Sequence, residues 1–222
     1  MSIPEKAMDM ATKAGEFIAP LVKGTLEEGI GIFEDKLKYI RWERQIRLME
    51  RADSFMKARG IQVENPIPLK LAIPLLEGAA LEDDDDLQDR WAKLIVNSVR
   101  ADGVELKRVY IDILERLSPL EAKILDVIYQ LPFEKHLHSR LKTFELPEKI
   151  SVMADGEHGE PQLTNEEVEL ALVNLARLGC IASTKTLGGG ELFSVVNMTL
   201  LGHKFYKACT LEDTEENGQH RQ

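Results

Sequence analysis

From Ile32 to Arg59 the chain runs without a glycine or a proline, and Gly60 follows at once. A run of that length with a glycine stop predicts one long helix, ~40 Å at 1.5 Å per residue. On a 100° projection Trp42, Ile46, Met49, Ala52 and Met56 share a broad apolar arc, which Leu37, Leu48 and Phe55 widen. Arg44, Arg47 and Arg51 gather on another arc, with Glu43 and Glu50 between. Glu43 and Arg47 form a favourable i,i+4 pair.

The segments on either side read as shorter helices. In residues 1–30, Ala7, Met10, Ala11, Ala14, Phe17, Ile18 and Leu21 recur at helical spacing. That makes an amphipathic helix which Pro20 should end or bend. After the linker IQVENPIP, Pro68 suits a helical first turn, while Pro74 should make that helix start late or kink. Glu82 and four aspartates, Asp83 to Asp86, precede a helix with Leu87, Trp91, Leu94, Ile95 and Ser98 on one face. A further helix is expected from Val104 to Leu117, with Val109, Ile113 and Leu117 inward.

The second half changes character. Ser118-Pro119-Leu120-Glu121 combines an N-cap, a first-position proline and a capping box. It opens a helix with Leu120, Ile124, Val127, Ile128 and Leu131 inward. A short helix is expected within 134–141. Thr164-Asn165-Glu166-Glu167 is a second box, opening a helix that Gly179 stops. CIASTKT and ELFSVV read as strands joined through Gly188, Gly189 and Gly190, and Thr199 caps a last helix. Helix, small helix, helix, strand, glycine turn, strand, helix is winged-helix order. The expectation is a mainly α protein: an N-terminal helical module with a long helix, plus a C-terminal winged-helix-like α+β module. The boundaries expected are 1–30 for the N-terminal amphipathic segment, 31–116 for the helical module, 117–209 for the winged-helix-like module and 210–222 for an acidic flexible tail.

Composition narrows the function classes. Lys plus Arg number 28 against 38 Asp plus Glu, a net charge of −10, so the surface as a whole repels phosphate backbones. A winged helix invites a DNA reading. Its second long helix, however, sets Glu166, Glu167 and Glu169 against Arg177 alone, and the wing offers only Lys185. Cys180 and Cys209 form no CxxC pair and read as small buried apolar residues of a reduced compartment. The start, MSIPEKAMDM, lacks the basic and apolar regions of a secretion signal, so a cytoplasmic location is expected.

The acidic run has no turn glycine for a cation loop and stands before a helix, so its carboxylates read as caps for orphan amides. His136, His138 and His158 lack a carboxylate or cysteine at metal spacing and read as surface histidines. No GxSxG, GxGxxG or P-loop pattern occurs, so no catalytic residue, metal site or cofactor is expected. One basic concentration stands out. Lys36 to Arg59 holds eight Lys/Arg against Glu43, Glu50 and Asp53. Arg41, Arg44, Arg47 and Arg51 are the candidates there for holding an anion or an acidic protein partner. The plainer reading is a solvated helix face with internal ion pairs. Residues 5–32 offer Lys6, Lys13 and Lys23 to an anionic membrane, against Glu5, Asp9, Glu16, Glu27 and Glu28.

YIRWERQIRLMERA, PLKLAIPLLEGAALEDDDDLQDRWAKLI, LERLSPLEAKILDVI and MTLLGHKFYKAC together resemble the abortive-infection alpha family of bacterial and phage-borne proteins. The resemblance spans roughly residues 15–210. It is most specific in the Pro-rich helix, the acidic turn and the helix bearing Trp91, Ala92, Lys93 and Leu94. It implies a role in bacterial defence against bacteriophage and carries over no catalytic residue. The expected function is a non-enzymatic protein-interaction component of that defence, working through helical surfaces on a protein partner or a second copy of itself. The alternatives are a DNA-binding winged-helix regulator and a membrane-associating effector that uses the N-terminal amphipathic helix.

Overall fold

A computed structural model of the chain describes residues 16, 19–23, 42–154, 165–185 and 188–211. It is mainly helical, with a small four-stranded antiparallel sheet. The described residues form two compact units. One reaches up to Arg116 and takes in Ala208 to Leu211; the other is Leu117–Lys207.

In the first unit, β1 (Val22–Lys23) pairs in parallel with β2 (Ile67–Pro68). α1 (Trp42–Arg59) is the described part of the long helix, whose expected start at Ile32 lies outside the described residues. Gly60 ends it at φ +62°, as its Cβ-free backbone permits, with Ile61 N–H donating to Met56 O. Gln45, Leu48, Met49 and Ala52 are the buried stripe, while Ile46, Phe55 and Met56 are half-buried. The stripe is thus rolled toward Leu48 from the expected arc, to the side on which the arginines lie.

α2 (Leu69–Leu81) begins upstream of Pro74 and carries it inside, so the late start expected from that proline does not occur. α3 (Asp85–Val99) is the centre of the unit. Between Leu87 and Val99 only Asp89 and Lys93 escape burial. The sequence pattern showed one apolar face; α1 and α2 pack on this helix and cover more than one. Asn97 is buried, and its Nδ2 donates to Ala208 O and Thr210 O, at 3.0 and 2.6 Å. A buried amide of this kind needs such acceptors. α4 (Arg108–Leu114) is shorter than the helix expected from Val104 to Leu117. Val104 N–H is spent on Asn97 O at 3.0 Å, in a turn through Gly103.

In the second unit, α5 (Pro119–Tyr129) starts on the expected capping box. Glu121 N–H donates to Ser118 Oγ, and Ser118 N–H to Glu121 Oε2 at 2.7 Å. α6 (Phe133–His136) is a single turn, and Leu141, expected at the end of that helix, is instead in a strand. α7 (Glu166–Arg177) is capped by Asn165, whose Oδ1 accepts from Glu167 N–H at 3.0 Å. Gly179 stops it at φ +74°. β5 (Ile181–Lys185) and β6 (Glu191–Met198) are the expected hairpin, with a register shift between Ser183 and Thr184. Two short strands that sequence reading missed, β3 (Leu141–Lys142) and β4 (Ser151–Val152), extend it to the order β4-β3-β6-β5. Two-residue strands carry too little alternation to be seen in sequence. Thr199 caps α8 (Leu200–Ala208), its Oγ1 accepting from Gly202 N–H at 2.9 Å.

Tyr129 ties this unit together. Its hydroxyl donates to Cys180 O at 2.5 Å and accepts from Thr199 N–H at 3.1 Å. Burial pushes its pKa up to about 12, so it remains a donor. A Cβ on Gly202 would sit 2.1 Å from that oxygen, so only glycine fits there. Burial, with a smaller contribution from Glu121, also pushes the Cys180 thiol up to about 12. Both cysteines are buried free thiols.

Candidate functional site

The acidic turn and the arginines of α1 belong to one assembly. Glu82 Oε1 accepts from the backbone N–H groups of Asp83 and Asp84, at 2.9 and 3.0 Å, which folds the turn on itself. Asp84 caps α3, its Oδ1 accepting from Asp86 and Leu87 N–H at 3.0 Å each. These are the caps expected of the run. They leave Asp83, Asp85 and Asp89 directed elsewhere.

The arginines meet them one by one. Arg44 Nη1 donates to Leu81 O at 2.8 Å, and its Nη2 lies 3.3 Å from Asp83 Oδ2. Arg47 Nη1 is 3.8 Å from Asp85 Oδ1. Arg51 is the best held: Nη1 donates to Asp85 O at 2.9 Å and to Asp89 Oδ1, and Nη2 donates to Asp85 Oδ1. Burial works against the Arg51 charge, but the bonds and charges of Asp89 and Asp85 outweigh it and raise its pKa. Arg41 lies outside the described residues. For the other three candidates, the acidic partner that the structure supplies is the chain's own turn. A phosphate would have to displace Asp83, Asp85 and Asp89, already paired with the three arginines, against the added negative charge of Glu82, Asp84 and Asp86 nearby.

A cavity of about 390 Å³ lies elsewhere in the same unit, lined by Asn65, Ile67, Pro68, Ser98, Arg100 and Leu106 among others. Its polar groups are spent within the chain. Asn65 Nδ2 donates to Arg100 O at 2.9 Å and Ser98 Oγ to Leu94 O at 2.6 Å. Arg100 holds Asp102 through Nε and Nη2, at 2.7 and 2.8 Å. The arrangement offers a ligand shape rather than charge.

In the second unit, His203 is buried and stacked on Phe133, ring centroids 4.0 Å apart. Its Nε2 is 3.9 Å from Glu134 Oε1, and its Nδ1 has no hydrogen-bond partner among the described residues. Burial lowers its pKa, helped by Lys207 and opposed by Glu134. His136 Nδ1 meets Ser139 Oγ at 3.3 Å, His138 is exposed, and His158 lies outside the described residues. Among the described residues no three His, Cys, Asp or Glu are grouped to hold a metal, and no helix is long and apolar enough to cross a membrane.

The surface that sequence reading missed is on α7. Leu170 and Val173 are 64% and 41% exposed, among exposed Glu166, Glu167, Glu169 and Arg177. The signal was present: EEVELALVNLAR holds more large apolar residues than one buried face takes up. Val168, Ala171, Leu172 and Leu175 fill that face, and Leu170 and Val173 are left over.

These are the features of a helical protein whose basic helix is paired with its own acidic turn, and whose exposed apolar residues include two neighbours, Leu170 and Val173, on one acidic helix; Leu81, Phe144, Val152 and Leu200 are exposed singly elsewhere. Residues 43–209 match the family described as abortive infection alpha, and the chain belongs to that family. No curated protein and no solved structure matches it.

Proposed function

We propose that the chain is a non-enzymatic component of bacterial anti-phage defence by abortive infection, acting in the cytoplasm through contacts with proteins. The family supports the defence role. The interaction role is carried by the outward face of α7, where two apolar side chains stand in water among carboxylates. Apolar residues that no core needs, rimmed by charge, suit a protein partner. The ladder of Arg44, Arg47 and Arg51 contributes by fixing the acidic turn. For these residues, with Arg41, to grip an outside partner, the ion pairs must first open.

We further propose that the second unit is a winged helix, a reading supported by the order of α5, α7 and the β5–β6 hairpin, with β3 alongside β6. In a DNA-binding regulator of that kind α7 would enter the major groove. Its three glutamates face phosphate with the wrong sign, which favours protein over DNA.

Phage plating on cells that carry the gene tests the proposal. The Leu170→Gln/Val173→Gln double variant should plate phage as unprotected cells do, at unchanged protein level. Full protection by that variant would remove α7 from the mechanism. Retention of duplex DNA on a filter at low salt by micromolar wild-type protein would favour the regulator instead.

A further inference from the structure

The exposed face of α7 has a register that complements itself. Projected at 100° per residue, Val173, Glu166, Arg177 and Leu170 fall within an arc of about 60°. All four are exposed, and Glu169 and Glu167 flank them on either side. Arg177 bonds to Asn174 Oδ1 through Nε and Nη2, at 3.1 and 2.6 Å, and Asn174 in turn donates to Glu121 Oε1 at 2.7 Å. Its guanidinium is therefore braced on the helix by two bonds to one acceptor. Among the described residues it makes no ion pair, and three of its five donors are left over.

Set a second α7 antiparallel to the first, with a two-fold axis passing between Ala171 and Leu172. Every residue then faces the one whose number, added to its own, makes 343. Leu170 faces the second copy's Val173, and Val173 its Leu170. Glu166 faces Arg177 at both ends, and Glu169 faces Asn174. One operation thus pairs the two exposed apolar residues with each other and the end charges with their opposites. A parallel pairing would set Glu166 against Glu166 and Arg177 against Arg177. The buried residues of α7, Val168, Ala171, Leu172 and Leu175, take no part, so neither unit need unfold. We infer that this face is a homodimer contact: two copies of the chain associate through antiparallel α7 helices, with Leu170 and Val173 at the axis and Glu166–Arg177 pairs closing each end. An isologous contact of this kind is the commonest route to a closed oligomer.

The contact is small, a few side chains from each copy, so a weak, concentration-dependent dimer is expected rather than a permanent one. The inference names a partner for the interaction surface proposed above and takes its biological meaning from that proposal. Its test does not: mass is measured on purified protein, and plating is measured in cells.

Sedimentation of the full chain between about 1 and about 500 µM reads the outcome, a range that spans weak association. The apparent mass should climb from 25.1 kDa toward twice that value. Glu166→Arg and Arg177→Glu should each weaken association at least tenfold, since each opposes like charges at both ends. An equimolar mixture of those two variants should associate again, because the mixed pair restores opposite charges at both ends. Leu170→Gln should weaken the wild-type dimer without touching charge. Circular dichroism checks that every variant is folded, and Val173→Gln stands in should one fail. Wild-type protein that stays at 25.1 kDa at the highest concentration overturns the inference. So does a dimer indifferent to the single changes, or a mixture of the two that fails to associate. A dimer that forms as expected while the α7 double variant still protects cells would leave this contact standing and defeat only the defence role given to it.

Discussion

α1 and α7 are both amphipathic helices with a charged outer face, and they put that charge to opposite uses. On α1, Arg44, Arg47 and Arg51 are matched with Asp83, Asp85 and Asp89 of the same chain. On α7, Glu166, Glu167, Glu169 and Arg177 have no ion-pair partner among the described residues, and Leu170 is exposed between them. The contrast shows that a run of like charges says little about binding until its possible partners within the chain are located. The basic helix, the more conspicuous of the two in sequence, has these arginines paired within the chain. The acidic one leaves its charges without an ion pair among the described residues.

The strongest way to break this contrast is to reverse the charges. Asp85→Lys with Asp89→Lys would face Arg51 with two cations, losing its pairs and adding repulsion. That should cost about 2–3 kcal/mol in a denaturant titration, as for a partly buried network that loses its partners. Glu166→Lys with Glu169→Lys, the same change in charge on α7, should cost less than about 1 kcal/mol, confined to the loss of favourable helix-dipole contacts. Equal losses at the two sites would mean that the carboxylates of the acidic turn are as idle as those of α7.

A milder cut is Arg51→Ala. It removes two bonds to carboxylates and one to a carbonyl, with the side chain 23% exposed, and should cost about 1–2 kcal/mol. Salt sharpens the comparison. In ~1 M NaCl the screening length falls to about 3 Å. Wild-type stability should then drop by more than that of Arg51→Ala, and the gap between the two melting curves should narrow. An unchanged gap would mean that Arg51 acts through packing alone.

What could be read in advance follows the same division between local and distant causes. The capping box at Ser118 and Glu121, the stops at Gly60 and Gly179, the hairpin and the cap at Thr199 are all settled within a few residues, and each is visible in sequence. Membership of the family also showed in the wording of the segments. The partners of Arg44, Arg47 and Arg51 lie more than thirty positions away. Sequence placed the two groups on separate elements and had no means to join them. The burial of α3 on more than one side, the Asn97 bonds to Ala208 and Thr210, and the Tyr129–Gly202 contact are likewise products of tertiary packing. The helix bounds at Arg108 and His136 differ from the expected ones because apolar spacing continues past the point where backbone donors find other acceptors. Leu170 and Val173 were hidden for another reason: an amphipathic pattern says that an apolar residue prefers burial, not that room exists for it.

pH separates the two units in a different way. The pKa of His203 in the second unit is lowered, first by burial and then by Lys207 and Lys204, with Glu134 opposing. Its folded pKa lies below the unfolded value near 6.5. Between the two values the unfolded chain binds more protons, so stability rises with pH through the window just under 6.5 and flattens above it. Melting of wild-type protein should therefore fall as pH is lowered through that window. His203→Phe, which keeps a ring to stack on Phe133, should lose much of that slope. An identical slope in the variant would assign the pH dependence to other groups.

The smallest expected effect on stability is also the most diagnostic. Leu170→Gln exchanges one good helix former for another at a position 64% exposed, so unfolding free energy should move by no more than about 0.5 kcal/mol. A core leucine of the same helix behaves otherwise. Leu172 is fully buried, and Leu172→Ala should cost about 2–5 kcal/mol. If Leu170 is a surface for another molecule, its replacement leaves the fold intact and removes an interaction. If it were merely a poorly placed core residue, the same replacement would register in the melting curve. Leu170 differs from Leu172 only in the side of α7 on which it falls, so the two measurements taken together show whether that side of the helix is kept for a partner.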